Sequence, residues 1–75
     1  MTAVTRNRRV AANTIVTPRE EIDQGYVELC NGCVVGYGHF DREMAFTEWL
    51  GGRIDIKVAF DGSLRAYKEG KELTE

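Results

Sequence analysis

The stretch from Gly25 to Gly38 constrains this chain more than any other, because Asn31-Gly32 sits between two runs rich in β-branched and aromatic residues. Asn and Gly both tolerate the positive φ that a tight turn demands, so the stretch predicts a β-hairpin. Two registers fit it. A two-residue turn sets Cys30 opposite Cys33, Leu29 opposite Val34 and Tyr26 opposite Tyr37, the last as a cross-strand aromatic pair. A three-residue loop with Gly32 as a bulge sets Leu29 opposite Cys33 and Val27 opposite Val35 instead.

A second hairpin is expected from Ile54 to Phe60, where Ile54, Ile56 and Val58 alternate with Asp55 and Lys57 ahead of Asp61-Gly62. Here a three-residue loop is preferred, with Gly62 in the left-handed position, Val58 opposite Leu64 and Ile56 opposite Ala66. That register keeps one face apolar. Val10 to Thr17 reads as a first strand ended by Pro18, and residues 19–25 read as a polar connection pinned by Ile22. Between the hairpins, Ala45, Phe46, Trp49 and Leu50 recur at helical spacing after a suitable N-cap, Asp41, and before Gly51. A short helix near 42–50 is therefore preferred over a strand with Met44, Phe46 and Glu48 on one face. The result is a mostly β (α+β) domain over residues 10–75, a small antiparallel sheet or partly closed barrel of about five strands. Residues 1–9 are expected to form a mobile arm.

With 75 residues, a chain buries only about 60 to 65% of its unfolded surface, so a partner chain, a metal or self-association would add materially to its stability. Ten Lys and Arg against twelve Asp and Glu give a net charge of −2, which disfavours bulk attraction to nucleic acid or anionic membrane. No run approaches the roughly 20 apolar residues of a membrane span, and no apolar signal core opens the chain. The expected location is the cytoplasm, with Cys30 and Cys33 as reduced thiols.

The spacing that chemistry regularly uses is Cys30-x-x-Cys33. Together with His39 and Asp41 it offers four ligands for zinc, although structural zinc sites usually present a second Cys or His pair. A thioredoxin-like role is disfavoured, since that motif opens a helix and here the cysteines straddle a turn with no cationic neighbour in sequence. Ser63 and the cysteines are the available nucleophiles for the single histidine, His39, and nothing in the sequence gathers them into a triad. Gly36 to His39 lacks the helix and the Lys or Ser/Thr of a phosphate loop. Tyr26, Tyr37, Phe40 and Trp49 are the expected contact surface, because aromatic rings carry much of the energy of interfaces.

Three segments also resemble a known family: Ala12-Asn-Thr-Ile-Val-Thr-Pro18, Gly25-Tyr-Val-Glu-Leu29 and Asn31-Gly-Cys-Val-Val-Gly-Tyr-Gly38. Together they resemble the opening strands of amidohydrolase-superfamily enzymes of the N-acetylglucosamine-6-phosphate deacetylase kind, across about residues 11–38. In that family such strands belong to an accessory β-sandwich, while a barrel of about 250 residues supplies the metal ligands, beginning with a His-x-His after a Pro-Gly-Phe-Ile-Asp-like segment. This chain continues instead through His39 and Phe40. The resemblance thus implies a free-standing relative of the accessory domain and carries over no catalytic residue. The expected function is a non-enzymatic β module that acts through a protein partner or a second copy of itself; the alternatives are a small zinc-binding domain and an amidohydrolase-related accessory domain.

Overall fold

A computed structural model describes residues 7–41 and 46–74. Seven strands follow in order: β1 (Asn7–Val16), β2 (Glu21–Cys30), β3 (Cys33–His39), β4 (Thr47–Trp49), β5 (Arg53–Val58), β6 (Leu64–Lys68) and β7 (Lys71–Glu72). They form a single mixed sheet in the order β3-β2-β1-β5-β6-β7, with β4 also paired to β1. The sheet does not close into a barrel.

β1 is the shared strand. One edge pairs antiparallel with β2 along its whole length, from Asn7 with Cys30 to Val16 with Glu21. The other edge is divided between two parallel partners, β4 at Arg9 to Ala11 and β5 at Thr14 to Val16. Between them Leu50 N donates to the Ala11 carbonyl at 2.8 Å and Thr14 N to the Gly52 carbonyl at 3.0 Å. The handover needs a sharp reversal. Gly51 and Gly52 supply it with φ of 71° and 66°, values that cost glycine nothing and other residues a good deal. Asn13 secures the bend, its Oδ1 accepting from Gly52 N at 2.7 Å.

The same level of the sheet carries a coordinated change of phase. In β1 the core-facing residues are Val10 and Ala12, then Ile15; in β2 they are Ile22, then Gly25, Val27 and Leu29. Two residues instead of one separate the core positions in each strand, Asn13-Thr14 opposite Asp23-Gln24, and Gln24 adopts φ 50°. Both strands therefore flip together and stay in register. This explains why residues 19–25 read as a connection: their alternation is interrupted at Gln24, yet Glu21 to Gly25 lie in β2. The turn before them is tight. Thr17 Oγ1 accepts from Arg19 N and Glu20 N at 3.1 and 2.9 Å, with Pro18 in the turn.

Both expected hairpins form. In the first, Asn31 and Gly32 have φ of 53° and 80° and Cys30 pairs with Cys33, so the two-residue turn holds. A bulge then shifts the register between Glu28 and Leu29, leaving Val35 unmatched and pairing Tyr26 with Gly38 and Tyr37 with Val27. The expected Tyr26–Tyr37 pair is thereby broken, and the two rings lie on opposite faces. In the second hairpin Val58 pairs with Leu64 and Ile56 with Ala66, and Gly62 sits at φ 87°, as the three-residue loop requires.

Two expectations are corrected. The helix expected near 42–50 is absent over 46–50: Phe46 is a turn residue at φ 57° and Thr47–Trp49 is β4. The open edge of β1 offers that segment ladder bonds that outweigh its helical spacing; its first part, 42–45, lies outside the described residues. The strand also begins at Asn7, so residues 7–9 of the expected arm belong to β1, while residues 1–6 lie outside the described residues.

The sheet curls until β6 faces the first hairpin. Arg65 Nη1 donates to the Gly32 carbonyl at 3.0 Å while its Nε reaches Ser63 Oγ at 3.1 Å. Inside the curl lie Val10, Ile15, Val27, Leu29 and Ile54, all fully buried, with Ile22, Val34, Ile56 and Ala66 around them. Each large aliphatic side chain there contributes about 1.5 to 3 kcal/mol. Gly25 is fixed by this packing, since a Cβ at that position would lie 2.5 Å from Ile15 Cγ1 and 3.0 Å from the Gly38 carbonyl. Gly25→Ala is expected to cost about 1 to 3 kcal/mol through overpacking, read as a lower urea midpoint at unchanged slope.

Candidate functional site

The outer face of β3-β2-β1-β4 is built in rows dictated by register. One row runs Gly38, Tyr26, Ala11, Trp49; the next runs Gly36, Glu28, Arg9, Thr47; Cys33 and Cys30 stand beyond them. The first row is apolar. Tyr26 packs against Gly38, where a Cβ would come within 3.2 Å of the ring, and Ala11 at the centre of the row is fully buried although it faces away from the core. Phe40 and Trp49 close that row with ring centroids 5.7 Å apart and a 51° tilt, a favourable aromatic geometry. Trp49 nevertheless remains 52% exposed, and Phe46, just before β4, is 99% exposed.

The second row is charged. Arg9 reaches Glu28 at 3.6 Å and lies 5.9 Å from the centre of the Tyr26 ring, within cation–π range. At the edge of the inner face Arg8 Nε and Nη2 donate to Glu48 at 2.8 and 3.2 Å, and Arg8 also donates to the Thr74 carbonyl.

Of the expected contact residues, Tyr26, Phe40 and Trp49 come together on this outer face, whereas Tyr37 packs against the core. The exposed Phe46 was not among them, because a helical reading places it among buried residues. The expected metal set does not assemble. Cys33 pairs with Cys30 at one end of β3 and His39 pairs with Gly25 at the other, about 20 Å apart at the rise of a strand. Among the described residues no three His, Cys, Asp or Glu side chains are grouped to hold an ion. Cys30 and Cys33 are free thiols, each half-buried.

One shallow cleft of about 400 Å³ is lined by Gly52, Arg53, Asp55, Lys68 and Glu69. Arg53 Nε is already paired with Asp55 Oδ1 at 2.9 Å, and the lining holds no histidine, thiol or hydroxyl. Its charged groups besides Arg53 are Asp55, Lys68 and Glu69. Among the described residues no helix is long and apolar enough to cross a membrane.

Two carboxylates are held low. The Arg8 hydrogen bond keeps Glu48 below its ordinary value of 4.5, and the Ser63 hydroxyl and amide do the same for the fully exposed Asp61. A depressed folded-state pKa adds stability above the ordinary carboxylate range, which is lost as pH falls through the folded value. The Glu48 side chain is half exposed, so its share is at most about 1 kcal/mol. Urea midpoints are expected to fall on acidification below pH 4.5, with a shallower fall in Glu48→Gln.

Comparison with protein-family models finds no match, and none is found among curated proteins. Among solved structures the fold is similar to a mutant of N-acetyl-D-glucosamine-6-phosphate deacetylase from Mycobacterium smegmatis, in complex with N-acetyl-D-glucosamine-6-phosphate. The TM-score is 0.56 at 22% identity, and the alignment covers 64% of this chain but 13% of the deacetylase. The likeness is to one segment of that enzyme. It agrees with the resemblance carried by residues 11–38 and is a likeness of fold.

Proposed function

We propose that this chain is a non-enzymatic β module that works by contact, and that a second copy of the chain occupies its outer aromatic face. The observation that carries this reading is the row Tyr26, Ala11, Trp49 with Phe40 packed on Trp49, and the exposed Phe46 just ahead of β4. These rings lie outside the core, and Phe46 and Trp49 leave large apolar surface in water. Covering such surface recovers roughly 25 cal/mol for each Å² removed from water.

A second copy suits the face because the adjoining row is self-complementary. Across a two-fold axis the Arg9 of one protomer meets the Glu28 of the other, so the charges that flank the rings attract in an isologous pairing. A chain this small also has most to gain from sharing a core.

The fold likeness favours a second reading, in which the same module serves as an accessory domain beside an amidohydrolase-type catalytic domain. It is supported by a match confined to 13% of the deacetylase chain. In that case the outer face would meet the catalytic domain instead of a second copy.

Sedimentation velocity at micromolar to millimolar concentration, with acrylamide quenching of Trp49, separates these outcomes. The expected result is a dimer with Trp49 shielded, converted to a monomer with accessible tryptophan by Phe46→Ser. The melting temperature of that variant extrapolated to low concentration should match the parent's. A monomer with freely quenched Trp49 across the whole range would overturn self-association.

A further inference from the structure

We propose that Cys30 and Cys33 form a dithiol site that low-molecular-weight disulfides close reversibly into a cross-strand disulfide. The two residues are direct register partners, both are free and half-buried, and alternation places both side chains on the outer face. Register partners that flank a two-residue turn exchange both backbone bonds, which sets their Cα atoms about 5.5 Å apart. That separation lies within the Cα range that disulfides span.

The backbone around them is already fixed. Asn31 and Gly32 hold φ of 53° and 80°, and Arg65 from β6 binds the Gly32 carbonyl at 3.0 Å. The thiols are therefore presented at a preorganised spacing, and the fold supplies at the turn a cation that the local sequence lacks. Closing a loop of only four residues restrains less of the unfolded chain than the long loops of structural disulfides do, so the bond adds less to stability than theirs. A reversible site is favoured over a structural staple on that account.

With glutathione disulfide the reaction balances in two exchanges. One protein thiolate attacks a glutathione sulfur, forming a mixed disulfide and releasing one glutathione thiolate. The second protein thiolate attacks the protein sulfur of that mixed disulfide and releases the other. Two protein thiols are oxidised, one glutathione disulfide is reduced, and the two protons pass to the released thiolates.

The full chain, incubated at graded ratios of oxidised to reduced glutathione, alkylated and read by intact mass, tests this. The expected product is a monomeric chain that has lost two hydrogens, takes up no alkylating agent and retains no glutathione. Cys30→Ser and Cys33→Ser should each retain one glutathione. Unfolding the parent in urea should demand a ratio about tenfold more oxidising for the same conversion, because the fold's preorganisation is lost. Retained glutathione on the parent, disulfides only between copies, full alkylation at every ratio, or the same requirement in urea would each overturn the proposal.

Discussion

Ala11 and Ala12 are adjacent in sequence, point to opposite faces and are both fully buried, which is possible only for a strand hydrogen-bonded on both edges and covered on both sides. That strand, β1, organises the molecule. Its backbone groups go to β2 on one side and, in turn, to β4 and β5 on the other. Unpaired backbone groups at such depth would cost a large fraction of a small domain's stability. The Gly51-Gly52 reversal and the Asn13 side chain exist at the one point where the second edge changes partner.

Two working faces follow from this arrangement. The inner face, curled and fastened by Arg65 to the tip of the first hairpin, is filled with aliphatic side chains. The outer face is shallow and carries the aromatic row, the Arg9–Glu28 pair and the two thiols.

Much of the fold was legible where glycine or asparagine had to take a positive φ. Asn31-Gly32 announced the first hairpin, and the apolar face of Ile56 and Val58 against Ala66 and Leu64 selected the loop of the second. The Val35 bulge was not legible, since a valine in a strand gives no local sign of being unmatched; with it went the Tyr26–Tyr37 pair. The phase change at Gln24 disguised half of β2 as a connection. Ala45, Phe46, Trp49 and Leu50 keep helical spacing, but the segment from Thr47 to Trp49 is decided by a distant strand edge that local periodicity does not report. For the site, residue type alone singled out Tyr26, Phe40 and Trp49, which the fold gathers on one face, but gave no sign that Tyr37 turns to the core. The metal set failed because closeness in sequence along a strand becomes distance in space.

The central claim is that β1 is the shared strand, paired on both edges, and native-state amide hydrogen exchange tests it most directly. The amides of Val10 to Val16 that donate to the ladder should exchange slowest in the molecule. Those of Leu50 and Thr14, which bridge β1 to its second edge, should be clearly protected as well. Rapid exchange at Leu50 and Thr14, with protection confined to β2 and β3, would contradict it and leave β4 and β5 unattached to the strand that defines both faces.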